Sequence, residues 1–538
     1  PIGWLISSLY KVLPGAPIFG VFLCVCFGIC FAMITYRTEK ISCNTKTKIT
    51  TVILMVLVFL SLMLWELVYV QYSVVCGCLA GTACFWFYTT PIECTVGEWW
   101  KKNIPALLLV WMAFNIRSEM LLLTCPFIAV AGIIHWVEAA KQEQSNYMGI
   151  EKKKIRKHLL SKDNICKYLI FIVVMILGLG IFAGVDYMAY NTPGWQEYRG
   201  FFDARTDVYD YTWYPNYEEQ KEFYQSNGIE EIQYRLIDNY NFGLDEGITE
   251  NTLEIIASYG ERPKLYGSPA YRLKQACVDM VRRTFSLGDM PYNTFVLAGY
   301  ILVIGLAILQ KEKKYFWKLS LLLIMRIVPW IYLLFVQRAV DRITHPLYMI
   351  EFMILLSLLV KELYDRPLWN EEKYYRMAVA AVLALVALIT LPSGISKVKM
   401  EQSRREQILI NQNLWDEYAK ANSENYYYLD VYSTVSFMEK MYEEVDNRQK
   451  NYDLLGGWIC NSPLQKEARA AYTESNTIAE ALLTENFYVV AMANRDITFV
   501  EDFYASKDVK VKLDIQDTIG EGDNPFVVYK IEEQKGKK

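Results

Sequence analysis

Long apolar runs set the plan of this chain. A membrane crossing needs roughly 20 mostly apolar residues, and such segments lie at about 17–36, 49–70, 73–90, 104–114 with 119–137, 167–187, 294–310, 316–336, 346–360 and 376–393. Two long stretches break the pattern. Residues 188–293 are acidic and rich in Tyr, with a helix predicted over SPAYRLKQACVDMVRRTF (268–285). After about 394 a charged helix, SKVKMEQSRREQILINQNLWDEYAKA, leads into the strand-length runs NYYYLDV, FYVVAMA, VKVKLDI and FVVYKI, with ESNTIAEALL and TFVEDFY as helices between them. The expected fold is a mostly α, polytopic membrane protein of about ten spans with a small α/β domain. The transmembrane part is 1–394, carrying the large loop 188–293, and the α/β domain is 395–538. Whether its strands run parallel or antiparallel is not legible in the pattern.

Basic residues orient the spans. Arg37, Lys40, Lys46 and Lys48 follow the first span, Lys101 and Lys102 follow the third, and EKKKIRKHLLSK (151–162) precedes the span at 167–187. Lys311, Lys313, Lys314 and Lys318 separate the spans at 294 and 316. If every segment crosses, all four loops share one face, which the positive-inside rule makes cytoplasmic. Residues 104–137 are too long for one crossing and are flanked by basic loops, so they must form a hairpin turning at NIRSE. The same parity places the N-terminal segment, the 188–293 loop and the tail outside the cytoplasm. In PIGWLISSLYKVLPG the residues Ile2, Leu5, Ile6, Leu9 and Val12 recur at helical spacing, predicting a helix along the outer surface. The chain opens on Pro1 without a Met and reads as a fragment preceded by a further span.

Composition agrees with a mixed architecture. Of 538 residues 53% are hydrophobic, yet 21% are charged, too polar for a helical bundle alone. The net charge of −4 carries little information because charges segregate by segment. Most of the twelve Cys lie in apolar spans as small hydrophobes, and no C-x-x-C pair suggests zinc or redox chemistry. There is no Walker A, G-x-S-x-G, H-E-x-x-H or glycine-rich nucleotide loop. No nucleotide cofactor and no nucleic-acid partner are expected.

Three polar clusters fall on the expected outer face. Arg117 and Glu119 sit at the hairpin turn. Asp203, Asp207 and Asp210 accompany Arg205 in FFDARTDVYDY, and on a helix the aspartates would share one face. Arg338, Asp341, Arg342 and His345 occupy the turn QRAVDRITHP between two spans. Each also has a bland reading: an interfacial turn with a snorkelling Arg for the first, a solvated acidic surface for the second. The third resists it, because basic residues are disfavoured in short outer loops. A planar guanidinium suits phosphate oxygens, so Arg117, Arg338, Arg342 and His345, with Glu119 holding Arg117, are candidate phosphate-binding residues. Asp203 and Asp207 are candidate ligands for a divalent metal. His135 and His158 carry no predicted role.

The order of parts resembles the GT-C superfamily of polyprenyl-phosphate-sugar-dependent glycosyltransferases, which contains protein O-mannosyltransferases and the lipid A aminoarabinose transferase. The resemblance lies in topology over most of the chain, with loose matches at PIGWLISSLYKVLP and IRSE. FFDARTDVYDY and NYDLLGGW (451–458) are also similar to segments of uncharacterised Firmicutes membrane proteins. The resemblance implies a polyprenyl-phosphate-linked sugar as donor, a cell-envelope glycan, lipid or protein as acceptor, and a plasma-membrane location. It also implies a carboxylate base in the first outer loop. Residues 1–16 contain no Asp or Glu, so that base is expected upstream of Pro1. A polysaccharide polymerase or ligase using lipid-linked glycan, and a non-enzymatic transporter or sensor, remain as alternatives. A transporter should carry ionisable residues at mid-membrane, whereas the spans hold chiefly Glu66 and Arg326, neither of them placed at mid-depth, which favours chemistry at the surface.

Overall fold

The computed structural model describes residues 2–40, 44–146, 155–259, 267–365, 370–434, 451–522 and 524–534. Residues 151–154 of the basic run lie outside them. The chain divides into two compact units. One comprises Pro1–Ser8, Ile18–Asp186 and Leu265–Lys399, and the other Leu9–Pro17, Tyr187–Lys264 and Met400–Lys538. The 188–293 segment is divided between the two units. Its first part joins the C-terminal region, whereas the predicted 268–285 helix, observed as Pro269–Thr284 with Ser268 as N-cap, stays with the helical unit.

Among the described residues of the chain, eight helices are long and apolar enough to cross a membrane: Ile18–Glu39, Thr45–Val68, Ser118–Gln144, Lys162–Ala189, Tyr292–Leu309, Lys314–Phe335, Asp341–Leu363 and Tyr374–Glu406. The expectation of about ten exceeds this by two segments that are helical but do not qualify. Tyr72–Tyr88 is apolar but has 17 residues, and Val96–Ile116 opens on the polar stretch GEWWKKN. Ile172, Val173, Ile176, Leu177 and Ile181 of one candidate span stand exposed. A continuous apolar surface of that kind fits a multi-pass membrane protein.

At the centre of the helical unit lies Asp341–Asp365, whose apolar window is 94% buried. The Tyr72–Tyr88 helix packs on it through Gly77 and Gly81 of GCLAG. A Cβ at Gly77 would lie 2.3 Å from the Pro346 Cβ, and one at Gly81 would lie 2.5 Å from the Met353 sulfur. Two glycines four residues apart let the backbones approach closely, the usual device where lipid supplies no hydrophobic drive.

The hairpin at NIRSE is present. The first helix ends at Ile116, Arg117 is extended, and the next begins at Ser118. Tyr168 packs against both Trp99 (5.2 Å) and His135 (5.8 Å). These lie 18 residues before and 18 after Arg117 (117 − 99 and 135 − 117), so the chain reverses there. The far end is rich in cations. Lys361 donates to Glu138 Oε2 (3.0 Å), Lys318 pairs with Glu138 Oε1, and Tyr88 donates to the same carboxylate (3.0 Å). His135 is fully satisfied there, with Nε2 on the Thr90 carbonyl (2.9 Å) and Nδ1 accepting from Tyr168 (2.8 Å).

The second unit is built on a five-stranded sheet of order β2-β1-β3-β5-β4, with β1 Tyr426–Leu429, β2 Tyr452–Leu454, β3 Phe487–Met492, β4 Val511–Ile519 and β5 Phe526–Glu533. β1 pairs parallel with β2 and β3, while β5 is antiparallel to β3 and β4. Alternation sends Tyr426, Tyr428, Phe487, Val489 and Ile531 to one face, and Tyr427, Leu429, Val490, Phe526 and Val528 to the other. Both faces are covered, which is why β1 is buried at every position. Trp415 and Ala419, near the end of the 52-residue helix Asn370–Ala421, cover the second face. The first face is covered by Phe201, Val208, Tyr224, Leu236 and Leu253 from residues 187–264, together with Phe499 and Phe503.

Candidate active site

Helix ends gather at the hairpin end of the helical unit. The Thr45–Val68 helix brings Glu66, Tyr292–Leu309 brings Tyr292, and Asp341–Asp365 brings His345. All three side chains are buried. Glu66 Oε1 accepts from the Tyr292 hydroxyl (2.7 Å) and lies 2.8 Å from His345 Nδ1. The His345 and Tyr292 rings stack at 4.2 Å. A carboxylate oxygen can only accept, so His345 carries its proton on Nδ1 and donates it. In the neutral ring Nε2 is then the acceptor, and no described residue hydrogen-bonds it. An imidazole oriented by a carboxylate at one nitrogen and open at the other is the arrangement of a general base.

The wall beside this pair is polar as well. Asp289, in the loop ahead of Tyr292, is buried and accepts from the Tyr348 hydroxyl (3.4 Å). Burial holds its carboxyl above the usual carboxylate range, opposed by the positive charge of Arg283. Nearby, Arg326 of the Lys314–Phe335 helix pairs with fully buried Glu351 and donates to Thr284 Oγ1 (3.0 Å), while the Tyr300 hydroxyl donates to Glu351 (2.7 Å). A buried ion pair persists when its remaining groups are hydrogen-bonded in this way.

The predicted residues divide. Arg117 donates to Ser73 Oγ and lies over the Tyr72 ring (5.0 Å), and its carbonyl accepts from the Cys76 thiol (3.4 Å). Glu119 is 78% exposed and 4.0 Å from Arg117, a contact worth little in water. Ser73 and Tyr72, rather than Glu119, position Arg117. Cys76 adjoins Gly77, which packs on Pro346, so Arg117 and His345 flank one turn of the Tyr72–Tyr88 helix without bonding each other. Arg342 lies one turn before His345, exposed and without a side-chain partner among the described residues; Arg338 is half-buried in the preceding turn. His345 differs most from expectation, because its ring faces inward to Glu66 instead of joining the arginines.

Asp203 and Asp207 belong to the other unit and are exposed. The Pro193–Thr206 helix passes at Asp207 into a π-helical turn, Asp207–Tyr211, so the three aspartates do not form a regular face. No group of three or more His, Cys, Asp or Glu among the described residues is placed to hold a metal ion. The conspicuous member of FFDARTDVYDY is Arg205, which is buried between the Phe202 and Trp458 rings (4.4 and 4.0 Å) and donates to the Gly457 carbonyl (2.8 Å). It fastens that segment to NYDLLGGW.

Sequence reasoning missed Asp289, Tyr292 and Glu351, and gave Glu66 no role at the site. Glu351 carried a readable signal, an acid within an apolar span. Asp289 and Tyr292 had none, because their partners are remote in sequence. Comparison of the chain with protein-family models, curated proteins and solved structures finds no match.

Proposed function

We propose that this chain is a membrane glycosyltransferase of GT-C type, moving a sugar from a polyprenyl-phosphate carrier to a cell-envelope acceptor at the outer face of the plasma membrane. The observation that carries the reading is the Glu66–His345 pair, with Nε2 of His345 open, on the helix ends where Arg117, Arg338 and Arg342 also lie. Orientation follows from charge. Lys101, Lys102, Lys314 and Lys318 belong to the opposite end, with the Glu138 cluster, and basic loops stay inside.

The chemistry needs no nucleotide, since the lipid phosphate is already a leaving group. An acceptor hydroxyl attacks the anomeric carbon, the bond from that carbon to the phosphate oxygen breaks, and polyprenyl phosphate departs. In place of the first-loop carboxylate that the resemblance implies, His345 Nε2 takes the hydroxyl proton, and Glu66 stabilises the imidazolium that forms. Arginines offset the charge on the leaving phosphate. A carrier without chemistry is the second reading, favoured by the buried Arg326–Glu351 pair within the spans.

The test uses the full chain in nanodiscs with undecaprenyl-phosphate-linked radiolabelled hexoses. His345→Ala should abolish transfer, by roughly a hundredfold or more. Arg117→Ala and Arg338→Ala should each lower it by about tenfold to a hundredfold, with unchanged yield of folded protein. Full activity in all three variants refutes the assignment, and uptake of a solute without transfer would establish the carrier.

A further inference from the structure

The second unit holds an open pocket of about 370 Å³ that plays no part in the reaction described above. Its lining includes the rings of Tyr209, Trp213, Tyr214 and Tyr234 and the polar side chains of Asn216 and Asp238. The volume is at the small end of the range for small-molecule sites, ~300–1,000 Å³. Its rings are set at wide angles, Tyr214 to Tyr209 at 90° and Tyr214 to Tyr234 at 75°. Trp213 is 63% exposed, an unusual cost for the largest apolar side chain outside a recognition surface.

The polar groups are few and directed. Tyr214 donates to Asp238 Oδ1 (3.4 Å), and Tyr209 is fixed by the Ile237 carbonyl (2.6 Å). Asp238 Oδ2 and Asn216 Nδ2 have no partner among the described residues, leaving one acceptor and one donor facing solvent. The backbone around them is specialised. The π-helical turn Asp207–Tyr211 carries Tyr209, and Tyr240, whose ring lies 4.2 Å from that of Tyr209, has φ of 62°. π-Turns and left-handed non-glycine residues both concentrate at functional sites.

We infer that this pocket binds a neutral pyranose, one sugar ring of a saccharide. The C–H face of the ring lies on Trp213 and Tyr214, and adjacent hydroxyls donate to Asp238 and accept from Asn216. A quaternary ammonium would also meet aromatic faces and a carboxylate, but the lining includes the Asn216 amide, whose Nδ2 is an uncommitted donor, beside the Asp238 acceptor. Hydroxyls satisfy both kinds of group, and a cation satisfies only one. Binding here is independent of whether the helical unit transfers sugar.

Saturation-transfer NMR on the full chain in nanodiscs, with maltose, cellobiose, chitobiose and choline as probes, reads this directly. At least one saccharide should bind at millimolar concentration. Trp213→Ala and Asp238→Asn should each weaken it about tenfold, Trp213→Phe should restore most of the loss, and Ile515→Ala, on exposed β4 surface, should change nothing. No saccharide signal, choline binding alone, or undiminished binding by Trp213→Ala overturns the assignment. Saccharide binding that survives His345→Ala, in a variant that no longer transfers, separates this site from the transferase reading.

Discussion

Removing Glu66 should destabilise the helical unit more than removing either of its partners. One carboxylate oxygen accepts two hydrogen bonds, at 2.7 Å from Tyr292 and 2.8 Å from His345, in a site where Glu66 is 2% exposed. Glu66→Ala strands both donors. Each unsatisfied buried donor costs about 1–3 kcal/mol. Relief of the buried charge and the smaller values typical of membrane interiors, near 0.6 kcal/mol per bond on average, reduce the sum. We expect about 2–4 kcal/mol for Glu66→Ala, against about 1 kcal/mol for Tyr292→Phe, which leaves the carboxylate paired with His345. Unfolding by SDS titration in bicelles measures both variants and their double. Because Glu66→Ala leaves the Tyr292 hydroxyl stranded, Tyr292→Phe in that background should be neutral or recover part of the loss, a coupling of about 1 kcal/mol or more. Strict additivity, or a Tyr292→Phe loss equal to that of Glu66→Ala, would refute the shared-acceptor arrangement.

Two further outcomes follow from the packing. A fragment starting at residue 400 should aggregate, whereas residues 187–264 joined to 400–538 by a flexible linker should be soluble with a mixed α/β circular dichroism spectrum, because the first sheet face is covered from both stretches. Gly77→Val should cost about 1–3 kcal/mol by overpacking against Pro346, and Gly180→Val, where a Cβ meets nothing within 4 Å, should cost little in the same SDS titration.

Much of the fold was legible because its elements announce themselves locally. Apolar runs of span length, the capped Pro269–Thr284 helix and four of the five strands all lie where pattern placed them. The hairpin at Arg117 followed from length and charge parity alone. β2 went unread because it is only three residues long, Tyr452–Leu454, too short for alternation to show in the pattern. The short helices of residues 187–264 looked like a solvated loop, since each has too few apolar positions to mark a core until the sheet is beside it. Site residues divide on the same line. Arg117, Arg338 and Arg342 were visible as charges that topology disfavours, a property of single positions. The Glu66–His345 and Glu66–Tyr292 bonds join residues 279 and 226 positions apart, and no window along the chain contains both partners.

The split origin of the second unit has a consequence for biosynthesis. Residues 187–264 leave the ribosome before the 135 residues of 265–399, and those in turn before the strands they cover. At ~5–20 residues per second the delay is roughly 7–27 s, far longer than a helix or a small apolar cluster takes to form. Throughout that interval Phe201, Val208, Tyr224 and Leu236 have no sheet to rest on, while the candidate spans that follow are being synthesised. Folding of the second unit therefore has these aromatic side chains waiting for their sheet, and a holdase that shields them in that interval should raise the yield of the folded protein.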